Sequence, residues 1–117
     1  MKKTIALFTL LLCMFIVNTA FAITINVPGD YPTIQAALNA ANSADIVLVA
    51  TGTYFENIFW PTTNGITLVS QTGADNTIID GGNNSVVLTI LGATGIDTTT
   101  VIDGFKIQNG TAEAGGG

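Results

Sequence analysis

Short apolar runs separated by glycine-rich turns recur along this chain at a nearly constant spacing. Leu48, Leu68 and Leu88 each lie at the centre of such a run, at equal intervals along the chain. The segment TIIDG at positions 77–81 returns as TVIDG at positions 100–104. A period of about 20 to 25 residues without helices is typical of a β-solenoid, in which each repeat forms one coil. The spacing therefore predicts an all-β fold of stacked coils.

The apolar runs are nearly continuous, as in IVLVA at residues 46–50 and VVLTIL at 86–91. Continuous runs suit parallel strands that are covered on both faces better than antiparallel strands with one wet face. An antiparallel β-sandwich stays open as an alternative, because short strands at regular spacing also describe it. We predict strands at residues 23–28, 46–50, 65–70, 76–80, 85–91 and 99–107.

Residues 33–41, TIQAALNAA, carry the helical pattern of the chain. Ile34, Ala37, Leu38 and Ala41 lie at i, i+3, i+4 and i+7, which predicts a helix of about three turns with one apolar stripe. Thr33 is the expected N-cap.

Positions 1–22 have the three regions of a secretory signal peptide. Lysines follow the first Met, residues 4–17 form the apolar run, and Ala20-Phe21-Ala22 is the expected cleavage site. Cleavage would leave residues 23–117, with eight acidic side chains and Lys106 as the single basic one. We expect one domain, or a piece of one. Because this chain has no basic face, we do not expect it to bind nucleic acid or anionic membrane surfaces.

The residue inventory excludes several kinds of active site. The chain has no His and no Arg, and its one cysteine, Cys13, lies in the predicted signal peptide. Ser-His and Cys-His nucleophilic sites, and zinc sites built from His or Cys, are therefore excluded in the mature chain. No disulfide can form, so stability has to come from packing.

Three motifs in the N-terminal half resemble right-handed parallel β-helix proteins of the pectin-lyase-like superfamily. They are YPTIQA at residues 31–36, GTY at 52–54 after a strand, and the pair Glu56-Asn57. The tail IDGFKIQNGTAEAGGG is similar to a coil of bacterial surface β-helix proteins. The resemblance implies a right-handed parallel β-helix with a short N-terminal capping helix. It also implies that residues 23–117 are the cap and the first three to four coils of a longer protein.

The resemblance leaves three functions open. We expect a secreted or cell-surface bacterial module that is non-catalytic, monomeric, and binds polysaccharide or surface partners. The alternative is the N-terminal part of a pectin-esterase-like or polysaccharide-lyase-like enzyme, with its catalytic coils beyond Gly117. A structural spacer in a surface protein is the third. The Arg used by the family's enzymes has no counterpart here, so no catalytic residue is carried over.

Two carboxylates are the candidate metal ligands. If the TIIDG and TVIDG segments stacked coil on coil, Asp80 and Asp103 would lie on adjacent rungs, about 4.8 Å apart. Like charges at that distance call for a cation, and oxygen ligands favour Ca²⁺, which is the cofactor to consider. The first competing interpretation is that each Asp-Gly pair turns the chain at a coil corner. The second is that the two carboxylates act as an acid/base pair, because close like charges raise the pKa of one of them.

Four aromatic residues are the candidates for sugar stacking: Tyr54, Phe55, Phe59 and Trp60. Flat apolar rings suit the faces of pyranose sugars, and Trp60 is the predicted substrate-binding residue. Alternation along FENIFW would place some of these rings inside the coil instead, where aromatic residues serve packing.

Overall fold

The strands of this protein are parallel and stack as a β-solenoid of about three turns. The computed structural model describes residues 21–92 and 96–112. Nearly all of the predicted signal peptide lies outside these residues. The elements in chain order are β1 Thr24–Val27, α1 Ile34–Ala40, β2 Ile46–Val49, β3 Gly52–Phe55, β4 Ile58–Phe59, β5 Thr67–Ser70, β6 Thr77–Asp80, β7 Leu88–Thr89, β8 Val101–Asp103 and β9 Lys106–Gln108.

Three parallel sheets form the walls of the coil, with strand orders β1-β2-β5-β8, β3-β6-β9 and β4-β7. We call them the first, second and third sheets. Their parallel pairing confirms the predicted solenoid, and it excludes the antiparallel sandwich. Inward-facing rows of the first two sheets join in one apolar core. The largest buried side chains there include Val27, Val47, Leu68 and Ile79, each at most 1% exposed.

The coils differ in length, which the sequence period did not anticipate. In the first sheet Thr24 pairs with Ile46, Ile46 with Thr67, and Thr67 with Val101, so the third of these coils is much longer than the other two. Its additional length includes the turn at residues 81–86 and the described residues 90–92 and 96–100. Parallel strands need only matching registers, so a corner can grow without disturbing the rungs.

The sequence repeats therefore do not stack as predicted. Leu48 pairs with Val69, and Leu88 pairs with Ile58 in another sheet. The TIIDG segment lies in the second sheet, whereas most of TVIDG lies in the first. The prediction of adjacent TIIDG and TVIDG rungs is wrong, because a corner falls at a different place in each coil.

Helix α1 closes the first rung of the solenoid. The side chain of Thr33 accepts a hydrogen bond from the Ala36 backbone N–H at 3.1 Å, which confirms the predicted N-cap. The predicted stripe is buried: Ile34, Ala37 and Leu38 are 0% exposed and Ala41 is 6% exposed. The helix packs on β1 and β2, whose inward side chains would otherwise face water at this end. Among residues 21–92 and 96–112, no helix is long and apolar enough to cross a membrane.

Two strand predictions have to be corrected in detail. The run at 85–91 contributes only Leu88–Thr89, and the run at 99–107 is divided between β8 and β9. Gly104 makes that division, with φ of +83° and Ser70 so close that a Cβ would collide with its side chain. A left-handed backbone with no room for Cβ requires glycine, so the chain turns from the first sheet into the second here.

Candidate functional site

In the segment Tyr54–Trp60, which we call the first-coil corner, side chains near the end alternate between the core and solvent. Ile58 and Trp60 point into the core, at 0% and 6% exposed, whereas Phe55 and Phe59 are 75% and 61% exposed. The period of two in an extended chain explains this division. The corner therefore presents two phenyl rings to solvent on a backbone whose other residues are buried or hydrogen-bonded.

The helical cap holds this corner from above. The Glu56 carboxylate accepts hydrogen bonds from the backbone N–H groups of Ile34 and Gln35, both at 2.9 Å. These N–H groups belong to the first turn of α1 and have no partner within the helix. The side-chain amide of Gln35 in turn donates to the Phe59 carbonyl at 2.9 Å and accepts from the Phe59 N–H at 2.7 Å. The backbone at Phe59 is thus fixed.

The next coil holds the corner from below. The side-chain amide of Asn57 donates to the carbonyls of Gly81, Ser85 and Val86, at 3.2 to 3.4 Å. The backbone N–H of Ile58 donates to the Val87 carbonyl at 2.7 Å. Clamping on both sides gives Phe55 and Phe59 fixed positions relative to one another.

Tyr54 takes an intermediate position, half-buried beside the corner. Its hydroxyl donates to the Ala50 carbonyl at 2.8 Å. Burial, and secondarily the charge of Glu56, raises the pKa of the Tyr54 hydroxyl above its usual range. The ring therefore stays neutral at physiological pH and contributes packing and one hydrogen bond.

Asp80 lies one rung below the corner, opposite Phe55 on one side and Gln108 on the other. It is 5% exposed. Its carboxylate accepts hydrogen bonds from the side chains of Gln108 and Asn109 and from the Gly82 N–H, each at 2.8 Å. The hydrogen bond from Gln108, followed by those from Gly82 and Asn109, lowers the pKa of Asp80 against the opposing effect of burial. These contacts fasten the corner at residues 80–82 to the last coil.

The predicted pairing of Asp80 with Asp103 is wrong. Asp103 lies in the first sheet opposite Val69, whereas Asp80 lies in the second. Within the described ranges, no three His, Cys, Asp or Glu side chains come together in a group that could hold a metal ion. Calcium binding at these residues stays a prediction. The stacking of the two carboxylates on adjacent rungs, which motivated it, is not present. Calcium-dependent melting that is lost in Asp103→Asn would support it.

Trp60, the predicted substrate-binding residue, lies in the hydrophobic core and is 6% exposed. Its indole N–H has no hydrogen-bond partner in the part of the chain that the structure describes. A ring buried in the core cannot stack on a sugar. Phe55 and Phe59 are therefore the remaining candidates for sugar stacking. These are the two of the four aromatic candidates that reach solvent. Alternation in FENIFW is the signal that separates them from Trp60.

Comparison with known proteins adds no assignment to this geometry. No family model matches the chain, and neither a curated protein nor a solved structure was found to be similar to it.

Proposed function

We propose that this protein is a secreted bacterial β-solenoid of the pectin-lyase-like kind, a non-catalytic module that binds polysaccharide at the first-coil corner. The single observation that carries the proposal is the exposure of Phe55 and Phe59 on a backbone clamped from both sides. Large apolar rings held in water cost free energy that a stacking ligand would recover.

The spacing of the rings suits an extended ligand. Phe55 and Phe59 are four positions apart, so their Cα atoms are separated by at most about 14 Å. A linear sugar chain could contact both rings, whereas a single small sugar would contact one. The clamped backbone lowers the ordering cost that a flexible loop would incur on binding.

Charge narrows the class of polysaccharide. Residues 23–117 carry eight acidic side chains and one basic one. A polyanion such as polygalacturonate would meet repulsion from this net charge, particularly at low salt. We therefore propose a neutral polysaccharide as the ligand.

Three carboxylates that are hydrogen-bonded within the protein support a non-catalytic role. Asp45, Glu56 and Asp80 all accept hydrogen bonds from groups of the protein itself. Asp45 accepts from the backbone of Ile23 and Asn42, at 3.0 and 2.8 Å. A carboxylate held in this way stabilises corners and the helix terminus, and its oxygens are not free to act on a ligand.

The test is binding of the purified protein to a panel of neutral and acidic polysaccharides, measured by calorimetry and by retention on insoluble polymers. Phe55→Ala and Phe59→Ala should each weaken binding about 2- to 12-fold, which corresponds to about 0.5–1.5 kcal/mol for one stacking contact. Val86→Ala is the matched control, since Val86 is also exposed and apolar. Unchanged binding in both Phe variants would contradict the site. Cleavage of polygalacturonate by the chain would contradict the non-catalytic role.

A further inference from the structure

The first-coil corner stacks on a much longer corner of the next coil. At one end Phe55 pairs with Asp80. At the other end Ile58 pairs with Leu88, so the two corners begin and end on adjacent rungs, about 4.8 Å apart. Two residues separate the paired positions in the first-coil corner, whereas residues 81–87 separate them in the next coil. The additional residues therefore leave the wall of the solenoid beneath the corner that carries the two exposed phenyl rings.

Exposure shows which part of the longer corner projects from the wall. Gly81 and Val87 are buried, whereas residues 82–86 between them are all exposed. Residues 82–85 have the sequence Gly-Asn-Asn-Ser, and we call them the polar turn. No charged side chain belongs to this turn, although the mature chain as a whole is strongly acidic.

The backbone of the polar turn is held by both neighbouring coils. On the upper side, the Asn57 amide donates a hydrogen bond to the Ser85 carbonyl at 3.4 Å. On the lower side, the Asn83 N–H donates to the Asn109 carbonyl at 2.8 Å. The Ser85 carbonyl also accepts from the Thr111 N–H at 2.9 Å. Because described coils lie above and below it, the turn projects sideways from the stack and not from its end. Its shape is fixed before a ligand binds, which lowers the ordering cost of binding.

The side chains of the turn carry hydrogen-bonding groups that the fold does not use. Within the described ranges, the side chains of Asn83, Asn84 and Ser85 make no hydrogen bond, whereas the adjoining Asp80 carboxylate accepts three. Asn83 has φ of +57°, a conformation that asparagine tolerates. Asn84 is outside that conformation, so its backbone gives no reason for an amide at this position. Each amide offers two N–H donors and one acceptor oxygen.

We propose that the polar turn is the hydroxyl-binding wall of the sugar site, with Asn83 and Asn84 as its specificity-determining residues. The rings of Phe55 and Phe59 contact the apolar face of a pyranose, and the hydroxyls at the edge of that sugar reach the turn. One amide can donate to a hydroxyl and accept from its neighbour. The ligand class is therefore a neutral polysaccharide whose sugars keep adjacent unsubstituted hydroxyls. This inference rests on the proposed function and names the part of the ligand that is recognised.

The two halves of the site have different tasks. Stacking on a phenyl ring depends on the apolar face of a sugar and is tolerant of its substituents. A site that hydrogen-bonds a hydroxyl discriminates against an analogue that lacks it. Loss of a ring should therefore weaken the binding of every ligand, whereas loss of an amide should weaken only the binding of ligands with free hydroxyls.

Calorimetry with a soluble β-glucan and a galactomannan, each in its native and its O-methylated form, tests this division. O-methylation removes the O–H donors and keeps the sugar rings. Asn83→Gly and Asn84→Ala should each weaken binding of the native polymers about 2- to 12-fold, as expected for one hydrogen bond. Glycine is used at position 83 because it adopts the positive φ there. In the double variant the preference for the native over the methylated polymer should disappear, which completes a double-mutant cycle.

Asn76→Ala is the matched control, since Asn76 is an exposed asparagine before the other end of β6. It should bind as the original chain does. Phe55→Ala should bind all the polymers more weakly and keep the preference for the native forms. Circular dichroism should show that each variant remains folded.

The outcomes separate this inference from the proposed function. Binding that Phe55→Ala weakens, but that neither asparagine variant changes, would overturn the polar turn and leave the proposed function standing. A preference for the native polymers that persists in the double variant would also overturn it. A chain that binds no native neutral polysaccharide of the panel would contradict the proposed function, and this inference with it.

Discussion

The side-chain amide of Gln35 occupies the place of a neighbouring strand beside Phe59. It accepts from the Phe59 N–H at 2.7 Å and donates to the Phe59 carbonyl at 2.9 Å, as a neighbouring backbone would. On its other side β4 pairs with β7. One side chain of the helix thus satisfies the exposed edge of the third sheet, which would otherwise be free to pair with another molecule.

Replacing Gln35 with Leu should destabilise the protein by about 1–3 kcal/mol, because the backbone N–H and carbonyl of Phe59 lose their partners. Leu keeps a comparable size and helix propensity, so the helix itself should persist. Urea unfolding measures the change. Asn39→Ala is the control: Asn39 accepts only a side-chain bond from Gln35 and is exposed, so its loss should cost no more than about 0.5 kcal/mol. Equal effects in the two variants would contradict the strand-like role of Gln35.

A charge at Leu38 should unfold the first coil. Leu38 is 0% exposed, within the stripe by which α1 covers the first rung. Leu38→Ala should cost about 2–5 kcal/mol through lost burial and the remaining cavity. Leu38→Asp adds the burial of a carboxylate without a partner and should release the helix.

Hydrogen exchange can locate the effect of the Leu38 substitutions. The amides of β1 and β2 should lose protection in Leu38→Asp, and the exposed neighbour Asn39→Asp should behave as the original chain. Protection that is retained in β1 and β2 would show that α1 is dispensable as a cap.

Acid should loosen the corner at residues 80–82. Hydrogen bonds to the charged form lower the pKa of Asp80 below its ordinary value of 3.8. Since the folded pKa lies below the unfolded one, this carboxylate stabilises the fold above about pH 4, and that contribution is lost as pH falls through the folded pKa. Asp80→Asn should therefore be less stable at neutral pH and show a shallower loss of stability below about pH 4.

The control for acid unfolding is Asp75→Asn, at an exposed turn position. It should retain the full acid dependence. Asp30 and Asp97 also have pKa values below the ordinary range, because they accept hydrogen bonds from Asn26 and Thr99 respectively, so part of the dependence should survive in every variant. Identical stability curves for Asp80→Asn and Asp75→Asn between about pH 2 and pH 7 would contradict this assignment.

Signal cleavage after Ala22 should strengthen the contact between Ile23 and Asp45. The Ile23 nitrogen lies 3.0 Å from the Asp45 carboxylate, which is 2% exposed. Cleavage there would turn an amide N–H into a protonated amine, and hydrogen bonds between charged groups are roughly twice as strong as neutral ones. A chain that begins at Ile23 should therefore be more stable than one that begins at Ala22 by about 1 kcal/mol.

Thermal melting of the two chains measures that difference, which corresponds to about 4–8 °C for a domain of this size. The difference should vanish in an Asp45→Asn background, which completes a double-mutant cycle. A difference that persists without the carboxylate would assign the effect to something other than this pair.

Local patterns allowed much of the fold to be predicted. The Ile34–Ala41 stripe, the Thr33 cap and the strands around Val47, Leu68 and Ile79 follow from periodicity and turn residues, because each depends on neighbours in the chain. The stacking order did not follow from the sequence. It depends on corner lengths, and the repeat that relates Asp80 to Asp103 looks the same whether or not the two segments share a sheet.

The candidate site was harder to predict, because its supports are distant in the chain. Glu56 caps a helix that begins 22 residues before it, and Asn57 holds a turn 24 to 29 residues after it. The strand Gly52–Phe55 resembles a turn in the sequence, since glycine usually marks one. Phe59 faces solvent and the adjacent Trp60 faces the core. Which of the two is buried depends on the register of β4 in its sheet.

Unequal coils have a consequence for how such a protein can change over generations. Coils of different length keep the same stacking of strands. The short coil from Ile46 to Thr67 and the much longer one from Thr67 to Val101 both return the chain to the first sheet. Insertions at a corner such as residues 82–85 therefore alter the outline of the molecule and leave its hydrogen-bonded walls alone. The similarity between sequence repeats can then be lost while the architecture persists. Corners become the places where new recognition surfaces are added at little cost to folding.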